Sequence, residues 1–187
     1  MADSEKTAKA VMERPINCSA KILNRFIEVV MASGEVPLAN LQKGVPSAEM
    51  LFFMMVDNEI VGVSAARYQN RPFHKHLFEK AGVPKMYNPH SVEICWLSIL
   101  PEFRAYGGWT AMFNLRRKYL GNRPCHAITR VENVRVADLS RYGYHQVGEP
   151  FYPDTGDDLI RLMVANHDPV FDPEKRLIYG KLPKNKD

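Results

Sequence analysis

The residues best suited by type and spacing to do chemistry lie between Glu93 and Leu120, in the stretch EICWLSILPEFRAYGGWTAMFNLRRKYL. An apolar run ends at Pro101, a short loop carries Arg104, Gly107 and Gly108, and helix-forming residues follow. Loop amides that open into a helix N-terminus converge with the helix dipole, and together they make an anion site. Glycines let the backbone approach a phosphate closely, and Arg104 adds charge. The loop is too short for a triphosphate-binding motif and has no Gly-Lys-Ser/Thr, and it also lacks the G-x-G-x-x-G spacing of dinucleotide folds. On spacing alone, a phosphate cradle and a plain strand-to-helix turn both account for it.

Other candidates are weaker. His74 and His76 frame Lys75, and His90 precedes the strand. An H-x-H pair needs a third metal ligand and no spacing supplies one, so no metal is expected. A substrate-side or base role for these histidines stays open. Cys18, Cys95 and Cys125 are odd in number and far apart, which suits neither a disulfide framework nor a metal cluster. Cys95 reads as core or channel wall, and Trp96 and the Phe52-Phe53-Met54-Met55 run read as core. The basic runs Arg116-Arg117-Lys118 and 181–186 read as a solvated helix face and a loose tail.

The elements that must position these residues follow from periodicity. Residues 1–14 carry little pattern and read as a weakly ordered start. Helical spacing runs from Asn17 to Met31 and stops at Ser33-Gly34. Two strands, 51–56 and 60–67, flank the turn Asp57-Asn58-Glu59. Residues 69–90 form a proline-rich excursion with a short amphipathic stretch at 73–81 that could lie over a substrate site. A strand at 91–100, a helix at 110–120, a strand at 125–131, a helix at 133–142 and strands at 145–152 and 159–164 complete the order, and a tail follows from 167. Helices interleaved with strands in this way predict one α/β domain with a mixed sheet and a core over about 16–166.

The run Arg104-Ala105-Tyr106-Gly107-Gly108-Trp109 resembles motif A of the GNAT superfamily of acyl-CoA-dependent N-acyltransferases, whose loop reads R/Q-x-x-G-x-G/A. The preceding Leu97-Ser98-Ile99-Leu100-Pro101-Glu102 is similar to that family's central strand. ITRVENVRVADLSRYGYHQVGEPF resembles motif B at Asn133, Leu139, Gly143 and Tyr144. The hairpin over 51–67 is similar to another of the family's strand pairs. The resemblance spans about residues 20–165. It implies a GNAT-like α/β (α+β) fold with a central, mostly antiparallel sheet flanked by helices. It departs from the pattern at Trp109, where relatives usually have a small residue, and at Ser140, which stands near a common tyrosine acid.

The resemblance implies acyl transfer from acetyl-CoA, or another acyl-CoA, to a primary amine by direct attack. Such transfer needs an amine deprotonated, an oxyanion donor and an acid for the thiolate. The backbone of Leu97, Ser98 and Ile99 would hold the pantetheine arm and polarise the thioester, while Phe103, Arg104, Ala105, Tyr106, Gly107, Gly108 and Trp109 would hold the pyrophosphate, with Asn133 in motif B. Glu93 is the expected general base. Even spacing would keep it on one face with Cys95, Leu97 and Ile99, and apolar neighbours would raise its pKa. A glutamate paired with an arginine or exposed to water is the alternative. Tyr142, with Tyr144 beside it, is the candidate acid. Two further possibilities are an acyltransferase drawing on carrier-protein donors and a GNAT-like binding module without turnover. The acceptor is expected to be a small-molecule or peptide amine, with Arg67, Tyr68, Tyr87 and the turn Asp154, Asp157, Asp158 as possible contacts. Dimers are common among such proteins.

Composition fits this class. The 187 residues are 45% hydrophobic and 25% charged, which suits one soluble globular domain rather than disorder. The net charge of +4 would draw a phosphorylated anion but is too mild to indicate nucleic-acid binding. No apolar run reaches the ~18 residues of a membrane span, and the polar start MADSEKTAKA lacks a secretory h-region. With three unpaired cysteines, a cytoplasmic setting is expected.

Overall fold

The computed structural model describes residues 8–34, 36–104, 106–133 and 136–167. Along the chain run β1 (Lys9–Glu13), α1 (Ala20–Met31), α2 (Leu38–Gly44), β2 (Met50–Val56), β3 (Glu59–Arg67), α3 (Arg71–Lys80), β4 (Val92–Ile99), α4 (Gly108–Leu120), β5 (Cys125–Arg130), α5 (Val136–Arg141), β6 (His145–Phe151) and β7 (Ile160–Ala165). They fall into two compact units, residues 8–68 with Glu93–Gly121, and Gln69–Val92 with 122–167.

In the first unit, β1, β2, β3 and β4 pair antiparallel in sequence order. The β2–β3 hairpin turns through Asp57 and Asn58 at φ 50° and 65°. Two consecutive positive φ values match the right-handed twist of the strands, and short Asx side chains tolerate them. Helix α1 starts at Ala20 rather than Asn17 because the Ser19 hydroxyl caps it, accepting from the Ile22 amide at 3.4 Å. Its apolar face, Phe26, Val29 and Val30, buries against Leu51, Phe53, Val63 and Ala65 of β2 and β3. Phe26 is wholly buried, edge-on to Phe53 at 5.9 Å. Such side chains each contribute roughly 1.5–3 kcal/mol of burial.

The strand β1 corrects the expectation of an unpatterned start. Lys9↔Met55 through Glu13↔Leu51 are paired, yet four of its five residues are exposed. A strand with both faces wet shows no alternation to read. Residues 1–7 and the expected tail beyond His167 lie outside the described residues.

In the second unit, β7 pairs antiparallel with β5 on one side and β6 on the other. Its core joins Leu77, Phe78 and Ala81 from α3 to Val147, Phe151, Ile160, Leu162 and Val164. The excursion over 69–90 is therefore packed through an amphipathic helix. Strand β6 is irregular between Val147 and Phe151. There Gly148 takes φ +63°, and a Cβ on it would lie 1.9 Å from the Ala81 carbonyl oxygen, which accepts from the Glu149 amide at 2.9 Å. Gly148→Ala is expected to lower stability by about 2–3 kcal/mol, combining left-handed strain with the displaced hydrogen bond. A fall in urea midpoint at unchanged m-value would show it, and a midpoint equal to wild type would contradict it.

Candidate active site

Strand β4 does not run evenly. Ala65 faces Cys95 and Val63 faces Ser98, so Ser64 opposes two residues, Trp96 and Leu97. This is a β-bulge, and Trp96 takes φ +55° to make it. The surplus residue corrects the expected alternation. Ser98, not Ile99, shares a face with Glu93 and Cys95, and its hydroxyl donates to the Val29 carbonyl of α1 at 2.9 Å. Ile99 instead lies beside Gly62 and Met54 on the other face.

Glu93 is 2% exposed, and its carboxylate accepts from Arg67 Nε at 2.5 Å. The apolar surroundings expected for it are replaced by a guanidinium, so the arginine-paired alternative is the one observed. Burial acts to lower the Arg67 pKa, but the Glu93 carboxylate and Cys95 together outweigh it and the net direction is upward. Arg67 also lies over Trp96, its guanidinium carbon 4.5 Å from the ring centroid. Gly44, ending α2, closes the stack, since a Cβ there would come within 2.7 Å of Trp96 Cη2 and 3.3 Å of Arg67 Nη1.

Behind the bulge, the Ser64 hydroxyl donates to the Cys95 carbonyl at 3.2 Å and accepts from Arg116 Nη1 at 2.9 Å. These bonds stand in for the broken ladder. Arg116 is 3% exposed and stacks over Phe113 at 4.0 Å, which corrects the solvated-face expectation for Arg116. The signal was present in the sequence: Met112, Arg116 and Leu120 are spaced four apart, on the buried stripe of α4. Ser64 carried no such signal. Cys95 sits here as expected of a wall residue, and burial pushes its thiol well above the usual range, with Glu93 adding to the rise.

Beyond β4, Phe103 packs near Tyr106 at 5.7 Å. Gly107 takes φ +70° and precedes α4, whose N-terminus has no side-chain cap. The first amides of α4 thus have no acceptor within the helix. Gly107 is exposed, and a Cβ on it would meet nothing within 4 Å. Gly108 is the reverse: a Cβ would overlap Met54 Sδ at 1.9 Å, so only glycine seats α4 this close to β2. The Trp109 indole packs along α4 against Phe113 at 4.8 Å. Arg104 is exposed and donates through Nε to the Ile99 carbonyl at 3.3 Å. Leu97 is half-buried. Ala105 lies outside the described residues.

The structure therefore gathers Glu93, Leu97, Ser98, Ile99, Phe103, Arg104, Tyr106, Gly107, Gly108 and Trp109 in the first unit. Asn133 and Tyr142 belong to the second. Asn133 donates to the Thr129 hydroxyl at 2.7 Å, and Tyr142 is half-buried between α5 and β6, with Tyr144 buried next to it. The histidines separate. His76 is half-buried, 3.3 Å from Asp154, and His90 is exposed. His74 is buried and stacked on His126 at 4.1 Å. Beside them the Ser91 hydroxyl bridges His126 Nδ1 and His167 Nε2 at 2.9 and 2.8 Å. Among the described residues no three His, Cys, Asp or Glu side chains are placed to hold a metal ion, and no helix is long and apolar enough to cross a membrane.

Solved structures share the fold that carries this site. The chain is similar to an acyl-CoA N-acyltransferase from Pseudomonas aeruginosa (TM-score 0.59, 12% identity, 85% of this chain and 99% of that one). It is also similar to the ribosomal-protein-S18-alanine N-acetyltransferase from Escherichia coli (TM-score 0.60, 10% identity, 83% and 92%). A third is a GNAT family acetyltransferase from Elizabethkingia anophelis with acetyl-CoA bound (TM-score 0.54, 12% identity, 85% and 97%). No family model matches the sequence, and no curated protein matches it. The chain has the α/β fold of the GNAT superfamily, as the motifs implied.

Proposed function

We propose that the protein is an N-acyltransferase that moves an acyl group, most simply acetyl, from acyl-CoA to an amine by direct attack. The observation that carries this is the exposed Gly107 turn, open around its Cα and backed by the uncapped N-terminus of α4. A pyrophosphate placed there would meet backbone amides of the first turn and the positive end of the helix dipole. Bound acyl-CoA would supply an activated thioester. The bulge takes residues 96–97 out of regular pairing with β3, and main-chain groups freed in this way suit a pantetheine arm and a thioester carbonyl. Burial keeps the Cys95 thiol protonated, consistent with transfer that forms no enzyme-bound acyl group. Glu93, already bonded to Arg67, serves in this scheme as the fixed partner of that arginine, and the amine proton passes to solvent. Tyr142 remains the proposed acid for the thiolate. The acceptor amine and the acyl chain length are chosen by parts of the fold outside the turn.

Thermal unfolding with and without acetyl-CoA tests the turn directly. A ligand at 100 times its Kd adds about 2.7 kcal/mol to stability, so a clear rise in Tm is expected. Arg104→Ala is expected to weaken binding by about tenfold or more, the value of one charge-assisted contact to phosphate. No rise at millimolar acetyl-CoA, or equal rises in both proteins, would overturn the assignment. Thiol release over a panel of amines then separates an enzyme from a silent binder.

A further inference from the structure

The Arg67–Glu93 pair is unequal. The Glu93 side chain is 3% exposed and the Arg67 side chain 27%, so the carboxylate is the inner member and the guanidinium the outer one. Glu93 engages Nε alone. Among the described residues Nη1 and Nη2 have no acceptor, and neither is a buried orphan. Three features nevertheless hold this guanidinium still: the bond to Glu93, the face of Trp96 at 4.5 Å, and the close approach of Gly44. Trp96 keeps a left-handed backbone while it does so, a strain that persists only where the surroundings over-determine it. The partly exposed guanidinium thus keeps a planar pair of donors beyond the one that Glu93 takes, the geometry that recognises a carboxylate in two parallel hydrogen bonds.

We infer that Arg67 selects acceptors whose amine is accompanied by a carboxylate, so that the substrate class is free amino acids rather than simple alkylamines or polyamines. This rests on the acyltransferase function proposed above. Because the guanidinium lies over the bulge residue itself, a carboxylate bound to it brings a neighbouring amine to the strand position where the acyl group would sit. Arg67 is then a specificity-determining residue, with Glu93, Trp96 and Gly44 as positioning residues.

The test compares amino acids with their carboxamides and with the matching decarboxylated amines, using acetyl-CoA as donor and thiol release as readout. Wild type is expected to show kcat/KM at least tenfold higher for the carboxylates. Arg67→Lys keeps a charge for Glu93 but loses the fork. It is expected to erase that preference mainly through KM for the carboxylates. Equal rates for carboxylates and carboxamides in wild type, or a preference that survives Arg67→Lys, would overturn the inference while leaving the acyltransferase function intact. If no amine releases thiol, binding decides. The indole N–H resonance of Trp96, whose ring lies under the Arg67 guanidinium, is followed while N-acetylglycine or N-acetylglycinamide is added to 50 mM. A shift with the acid alone, absent in Arg67→Lys, supports the inference, and no shift or equal shifts overturn it.

Discussion

Arg67→Ala is expected to destabilise the protein by about 3–5 kcal/mol, the cost of leaving one member of a buried ion pair uncompensated. The asymmetry of the pair sets the size. Removing Arg67 strands a carboxylate that is 2% exposed, whereas Glu93→Gln leaves a guanidinium that water already reaches, at about 1–3 kcal/mol. The double variant is therefore expected to be more stable than Arg67→Ala alone, a coupling that a double-mutant cycle reads directly. Arg67→Ala should also lose less at acid pH, because a stranded buried carboxyl takes up a proton rather than remain charged. Urea titrations at pH 7 and pH 5 measure all three quantities. A cost below 1 kcal/mol for Arg67→Ala, or strict additivity in the cycle, would mean that the two side chains do not depend on one another. The same variants address the base role expected of Glu93. If Glu93 takes the amine proton, Glu93→Gln lowers kcat with a flattened pH profile. If it holds Arg67, the loss falls on KM for the acceptor.

Acid should loosen the second unit for a different reason. His74 is 2% exposed among Phe78, Tyr87 and His126, and its Nε2 meets no acceptor. Burial, with His167 adding repulsion, pushes its pKa down to about 4. An unfolded histidine titrates near 6.5, so between these values the unfolded chain binds the proton and the folded one does not. Stability from this residue is complete above about pH 6.5 and falls as pH drops toward 4. The loss is on the order of 2 kcal/mol at pH 5. His74→Phe is expected to remove most of this slope between pH 7.5 and pH 5 in thermal melts. An unchanged slope would exclude His74 as its source.

Much of this was legible in the sequence because it is local. The glycine turn after Pro101, the helix that follows it (expected from Thr110 and observed from Gly108) and the Asp57-Asn58 hairpin each depend on residues a few positions apart, and motif and periodicity read them. What escaped is non-local. Arg67 and Glu93 are 26 residues apart, and nothing in SVEICWLSIL marks the bulge at Trp96, which arises from opposing Ser64 across the sheet. Arg116 was hidden by its own charge, since a basic trio reads as wet although its spacing with Met112 and Leu120 placed it inside. The wet edge strand β1 escaped through having no alternation to detect.

The extra residue in β4 also decides how the strand tolerates change. Upstream and downstream of Trp96 the inward positions are out of step, so the strand behaves as two short segments of opposite parity. Deleting Leu97 would leave a single residue opposite Ser64 and restore one parity along the whole strand, with Ser98 still against Val63 and Ile99 still against Gly62. The packing on both faces would survive, while the main-chain groups at 96–97 would be drawn back into the ladder and the opening they make would close.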